Sequence, residues 1–214
     1  GRDVLSRLIY AGRVSLGVSA VSVVMAGLVG VCLGLCAGYY RGKLETLIMR
    51  TMELVLSFPT IVLAIAIVSM LGANLSNVIL VIAVVYTPRF VRIVYGATLS
   101  VRELEFVQAA RLAGATDLRI LRWSVLPNVT TPLLIQFSLS LGFAILVESG
   151  LSFLGLGAQP PTPSWGNMVA SARPFMETNA WLLLAPASAV GLTILTLNTL
   201  GDGLRDLLDP RLHS

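Results

Sequence analysis

From residue 14 to residue 40, and again from 54 to 88, the chain carries no charged side chain. A helix needs about 20 apolar residues to cross a hydrocarbon core about 30 Å thick, so such runs are long enough to span a bilayer. The second run, 35 residues long, is too long for one crossing. The Gly72-Ala73-Asn74-Leu75-Ser76-Asn77 stretch supplies a turn that divides it. Five spans are predicted, at residues 14–40, 54–71, 78–95, 129–147 and 179–201, in a single domain over 1–214. The composition, 56% hydrophobic and 12% charged, agrees; soluble domains carry about 25% charged residues. The expected fold class is therefore an all-α integral membrane protein, a polytopic helical bundle.

Residues 100–128 interrupt this pattern with Arg102, Glu103, Glu105, Arg111, Asp117, Arg119 and Arg122. A charge at the bilayer centre costs about 2.5–3.5 kcal/mol on insertion scales, so the segment projects into water. Ser100 followed by Glu103 reads as a capping box, with a helix over about 101–113 behind it. Gly114 stands where a helix C-terminus needs positive φ. Thr116 or Asp117 then caps a second short helix, which is expected to end near Leu126 because Pro127 disfavours α conformation in its predecessor. Ala109, Ala110 and Ala113 leave room for another backbone to approach. A plain solvated loop would need none of this.

The remaining features set orientation and exclude some chemistries. With 100–128 on the cytoplasmic side, Arg41, Lys43, Arg50, Arg89, Arg92, Arg102, Arg111, Arg119, Arg122, Arg205 and Arg211 share that side, and Arg2, Arg7, Arg13 and Arg173 lie outside. Cytoplasmic loops carry the excess of Lys and Arg. This use of base fits membrane orientation and gives no nucleic-acid footprint. Lys43, the sole lysine, is not in a Gly-Lys-[Ser/Thr] phosphate loop. The sole histidine, His213, leaves no Ser–His pair or His-based metal site. Cys32 and Cys36 read as buried helix-packing residues. Residues 1–13 suit an external interfacial helix, or equally an extension of the first span. Gly30 and Gly34 form a small-residue pair that favours close helix packing. Pro59 and Pro88 are expected to kink their helices, and Arg89 and Arg92 to snorkel to the headgroups at a span's end. Residues 158–177 read as a proline-rich connector.

The charged segment resembles the EAA loop of membrane subunits of binding-protein-dependent ABC importers: Glu-Ala-Ala, three residues, Gly, nine residues, Ile, one residue, Leu-Pro. Ala109, Ala110, Gly114, Leu126 and Pro127 match at the family's spacing, whereas Gln108 stands for the Glu and Ser124 for the Ile. A second block, Glu148-Ser149-Gly150-Leu151-Ser152-Phe153-Leu154-Gly155-Leu156-Gly157 through Trp165-Gly166, is similar to the dipeptide, oligopeptide and nickel permease branch. So are the opening Gly1-Arg2-Asp3-Val4-Leu5-Ser6-Arg7-Leu8 and the Gly38-Tyr39-Tyr40 stretch.

The resemblance implies six spans in the family against five here, hence an expected further helix upstream. It implies that Glu105, Gln108, Ala109, Ala110, Arg111, Gly114, Asp117, Leu126 and Pro127 contact the ATPase subunits. It implies as partners a second permease subunit, two ATP-binding subunits and an extracytoplasmic binding protein. ATP and Mg belong to the partners, and this chain itself holds no cofactor and no catalytic group. The expected place is the bacterial inner membrane. Glu148 and Trp165 are candidates for an external gate, the plainer reading of Glu148 being a partly hydrated interfacial carboxylate. The expected function is import of peptides; a nickel complex, a stand-alone carrier and a membrane-embedded enzyme are the alternatives.

Overall fold

A computed structural model describes residues 3–208, so Arg2, Arg211 and His213 lie outside the described residues. Within them every regular element is helical. Four helices are long and apolar enough to cross a membrane, or five if a sharply bent pair counts as one span.

The first helix, α1 (Val4–Tyr40), is unbroken over 37 residues, and Asp3 caps it by accepting from the Leu5 and Ser6 amides. Among the described residues no separate interfacial helix forms ahead of residue 14: residues 4–13 extend the first span, because nothing between Val4 and Val14 breaks the backbone. Its small residues form a seam against α4 (Leu75–Arg102). A Cβ on Gly30 would lie 2.3 Å from the Phe90 Cβ, and one on Gly34 would lie 2.7 Å from the Val94 Cβ. The expected pairing of small residues is therefore real, and its partner is α4. Both cysteines are free; half-buried Cys36 packs beside Ile48, Met52 and Val91, as expected of a helix-packing residue, whereas Cys32 is exposed.

The expected span at 54–71 is not one helix. Helices α2 (Gly42–Leu56) and α3 (Thr60–Leu71) meet at 91°. Pro59 has no N–H and disfavours α conformation in Phe58, and Ser57, Phe58 and Pro59 are exposed, with no packing to hold the helix straight. Pro88, in contrast, lies buried inside α4 without ending it. There the helix is clamped against α1 on one side and, on another, against a later helix that begins at Leu126. As a result α4 continues well past residue 95, and Arg89 stands midway along it, not at a span's end.

Ser100 is inside α4, its hydroxyl donating to the Gly96 carbonyl at 3.4 Å, so no capping box forms there. Helix α5 (Glu105–Leu112) begins later than expected, and α6 (Asp117–Ile120) follows with Thr116 at its N-cap position. The second short helix does not stop near Leu126. A π-helical turn, Leu121–Val125, carries it into α7 (Leu126–Phe153). Pro127 follows the π-helical turn directly, so its missing N–H falls inside the continuous rod, at the place where the regular α-helical bonding is already interrupted. The expected fourth span, 129–147, is thus part of a continuous helix Asp117–Phe153, and Glu148 lies inside that helix.

The proline-rich connector contains α8 (Trp165–Ala172), capped by a Ser164–Asn167 box. The last helix, α9 (Trp181–Leu208), packs along α7. One apolar core joins α1, α3, α4 and α7 through Val23, Val68, Tyr86, Phe90 and Leu151.

Candidate functional site

The two groups of candidate residues lie at opposite ends of the Asp117–Phe153 rod. At its beginning, the α5–α6 corner rests on a small core of Val107, Ile120, Leu121, Val125 and Val129 packed against Tyr39, Val94 and Val101. Val107 and Ile120 anchor the corner; the rest of α5 faces outward. Gln108, Ala109, Arg111, Gly114, Asp117 and Pro127 are exposed, as is Glu105, while Ala110 and Leu126 are half-buried. Gly114 has φ 79°, as its place after the helix end led one to expect. The turn is closed by the Gly114 amide donating to Arg111 O at 3.0 Å and the Ala115 amide donating to Ala110 O at 3.1 Å. A Cβ at Gly114 would meet nothing within 4 Å, so only the backbone demands glycine here.

Polar contacts tie this corner to the end of α1. The Tyr39 hydroxyl donates to Asp117 Oδ1 at 2.8 Å, and the Arg111 guanidinium carbon lies 5.3 Å from the centre of the Tyr39 ring. The Tyr39 hydroxyl, ahead of the Asp117 and Glu103 carboxylates, pushes Arg111 further into its charged form. Arg102 Nη1 donates to the Gly38 and Tyr39 carbonyls at 3.2 and 2.9 Å, satisfying acceptors that a helix end leaves open. Gln108 Nε2 donates to Glu103 O at 3.0 Å. A glutamate in that position has no proton to give at neutral pH, so the substitution converts a charged site into a local brace. Sequence reasoning counted Arg102 in the charged segment but not its tie to α1, and did not place Tyr39 at this corner. The available signal for Tyr39 was an aromatic ring with a polar tip at the end of a charge-free run.

Apolar side chains are nonetheless displayed on this corner. Leu112 is 90% exposed, Leu118 74% and Trp123 71%. They flank the Gly114 turn and the π-helical turn.

At the other end, Glu148 is fully buried, which corrects the partly hydrated reading. The Ser152 hydroxyl donates to Glu148 Oε1 at 2.8 Å, and the Ser149 hydroxyl donates to Oε2 at 3.4 Å. Burying a carboxylate is costly unless it is hydrogen-bonded, and the serines one and four residues on supply those bonds. Trp165 is buried beside α1: its backbone N–H donates to Ser15 Oγ at 3.3 Å, and its indole Nε1–H donates to the Leu8 carbonyl at 3.2 Å. The fit is close throughout. A Cβ on Gly166 would lie 2.1 Å from the Ser149 carbonyl oxygen, one on Gly157 1.9 Å from Ser152 Oγ, and one on Gly12 2.9 Å from the Trp165 ring. Glu148 and Trp165 thus belong to one junction of α1, α7 and α8. The roles of Ser15 and Ser152 were not legible, because serine in an apolar helix is ordinarily silent. Among the described residues no three of His, Cys, Asp and Glu stand together as a metal site would require.

The architecture is that of known importers. The chain superposes on an inward-facing structure of the MetNI methionine ABC transporter with TM-score 0.79, over 96% of this chain and 97% of that one at 18% identity. That likeness speaks for the fold. In sequence, the chain is 46% identical over 214 residues to the di/tripeptide transport system permease protein DppC of Pseudomonas aeruginosa, covering 100% of this chain and 71% of the relative. It is 42% identical over 214 residues to the glutathione transport system permease protein GsiD of Pectobacterium atrosepticum, again covering 71% of the relative. Residues 30–214 match the family described as binding-protein-dependent transport system inner membrane component. Spanning helices, a helix–Gly–helix corner at their end and this match together establish that the chain belongs to that family, as an ABC importer permease.

Proposed function

We propose that this chain forms half of the translocation pathway of an importer of short peptides. Partner subunits bind ATP and Mg, and the α5–α6 corner converts their movement into movement of the helices. A second permease subunit supplies the other half of the pathway, and an extracytoplasmic binding protein delivers the substrate. The observation that carries this reading is the display of Leu112, Leu118 and Trp123 around Gly114, on a corner bonded to α1 and continuous with α7. Large exposed apolar side chains rimmed by charge mark a protein-binding surface, and a rigid continuation into α7 gives such a surface something to move. The names of the relatives, on di/tripeptides and on glutathione, favour peptides over nickel complexes. The α8 junction, with Glu148 and Trp165, is then the part that closes the pathway on the outer side.

The test is uptake of labelled di- and tripeptides by proteoliposomes holding the full complex, with the binding protein outside and ATP inside. Uptake that needs both ATP and binding protein is expected; uptake driven by an ion gradient alone would overturn the reading. Sidedness is read by single cysteines in a background lacking Cys32, which is exposed, and Cys36. Cysteines at Leu112 or Leu118 should react with an impermeant thiol reagent only from the cytoplasmic side. A cysteine at Pro163 should react from outside.

A further inference from the structure

Arg89 is a cation in the middle of a spanning helix. It lies 14 residues after Leu75 and 13 before Arg102 in α4, which at the helical rise puts it about 20 Å from either end. Ionisable groups at such depth are expensive, pair with another group, and mark pathways. Among the described residues the carboxylates that form ion pairs are Glu45, Glu53 and Glu103, with Arg41, Arg50 and Arg102. Among the described residues none pairs with Arg89. Its neighbours are instead two rings and a hydroxyl. The guanidinium carbon is 4.6 Å from the centre of the Tyr86 ring and 5.6 Å from that of Phe143 on α7. Nη2 reaches Thr60 Oγ1 at 3.5 Å. Aromatic faces hold a guanidinium in place but leave its charge uncompensated, and its planar fork keeps donors for a carboxylate.

Thr60 is the first residue of α3, and this supplies an independent observation. Pro59 stands at the N-cap position and no side chain caps the helix. The first-turn amides of α3 therefore have no partner within the helix, and this positive end of its dipole lies at Arg89. A helix N-terminus favours an anion and opposes a cation. Two positive features meeting at mid-depth, beside the 91° break between α2 and α3, repel each other until an anion lies between them. Half-helices broken at the bilayer midplane place their N-termini against anionic substrate groups in transporters of other architecture. The place is open: Phe143 is half exposed, and Phe58 and Ile61 beside the break are exposed.

We propose that Arg89 and the uncapped start of α3 form a carboxylate-binding site within the membrane, and that its ligand is the terminal carboxylate of the transported peptide. This rests on the peptide-import reading above. A carboxylate from the second permease subunit has the same chemistry, and the experiment separates the two sources.

The experiment uses the full complex in proteoliposomes at saturating binding protein. It compares a tripeptide with a free C-terminus and a C-terminally amidated tripeptide that the parent complex also carries. Arg89→Gln should lower transport of the free acid at least tenfold and change that of the amide less than threefold, and Arg89→Lys should retain an intermediate rate for the acid. Copurification of all subunits and stimulation of ATP hydrolysis by loaded binding protein should stay at parent levels. Equal loss for both peptides, or loss of the second permease subunit on purification, would assign the cation to a structural partner and overturn the proposal, as would parent rates for both. A parent complex that carries no peptide of any kind would instead overturn peptide import, and the site with it.

Discussion

At the Asp117 end of the long rod, glycine is required by the backbone; at the Phe153 end it is required by space. Gly114 has φ 79° with nothing within 4 Å of its missing Cβ, whereas the Cβ of Gly166 would fall 2.1 Å from the Ser149 carbonyl oxygen. The first end touches the rest of the chain through one side of α5 and a few polar contacts, and shows its apolar residues outward. The second is sealed by its neighbours, down to a fully buried Glu148. One molecule thus holds an end that displays its apolar side chains and an end packed against itself. The same residue type can therefore fail in two ways. A side chain at the open end strains a turn and alters the displayed surface, and one at the closed end disturbs the fold.

The largest effect is expected from Gly166→Ala. The clash is with backbone, which has nowhere to go, and overpacking costs about 1–3 kcal/mol or more. The subunit should lose monodisperse yield in detergent and melt well below the parent; parent-like melting would show that the α8 junction is looser than its geometry. Gly114→Asp comes next. The strain of a non-glycine residue at positive φ, about 1–3 kcal/mol, is borne by a two-helix corner outside the bundle. The subunit should insert and express normally while transport falls at least tenfold. Either the ATPase subunits fail to copurify, or their hydrolysis no longer responds to loaded binding protein. Normal assembly, response and transport would make Gly114 a spacer and erase the contrast.

Glu148→Gln tests whether the closed end also moves. Glutamine keeps the volume and an acceptor for Ser152, so the loss in stability should stay within about 1.5 kcal/mol. If the junction gates the pathway, basal ATP hydrolysis or substrate leak in the reconstituted complex should change severalfold. Parent values of both would leave it a fixed clasp. The smallest effect is expected from Tyr39→Phe, which removes one hydrogen bond to Asp117 worth about 0.5–1.5 kcal/mol. Faster amide hydrogen exchange across residues 105–120, with the transmembrane helices unchanged, would show that the bond steadies the open end. Unchanged exchange would mean that Val107 and Ile120 suffice.

What the sequence made legible was local. Gly114 follows a helix whose length and composition announce its end, and Gly30 and Gly34 carry their spacing with them; both readings hold in the structure. What stayed hidden depends on distant neighbours. Pro59 and Pro88 look alike in sequence, but one lies in an exposed elbow and breaks the helix, while the other is clamped between α1 and α7 and does not. Arg89 follows a proline at the end of a charge-free run and so read as a boundary, although α4 continues for another 13 residues. Glu148 read as an interfacial acid because the groups that enclose it include residues of α1 and α8. Ser100 had the right partner for a cap, but helix propagation through Arg102 won. In the candidate site the anchor Val107 and the ties from Tyr39 and Arg102 depend on packing between segments far apart in the chain, which no spacing encodes.

The π-helical turn at Leu121–Val125 has a consequence for phase. A π turn holds one residue more than an α turn in the same place, so the corner and the spanning part of the rod share an axis but not a common angular register. The widened turn absorbs that residue, so deleting it would let an ordinary α turn form with α5 and α6 left close to where they stand. A deletion in the regular α-helical part of the rod has no such slack and would turn everything beyond it by about 100° and draw it about 1.5 Å closer. The junction between the corner and the spanning part of the rod is thus the place where a residue can be lost without re-aiming Leu112 and Leu118.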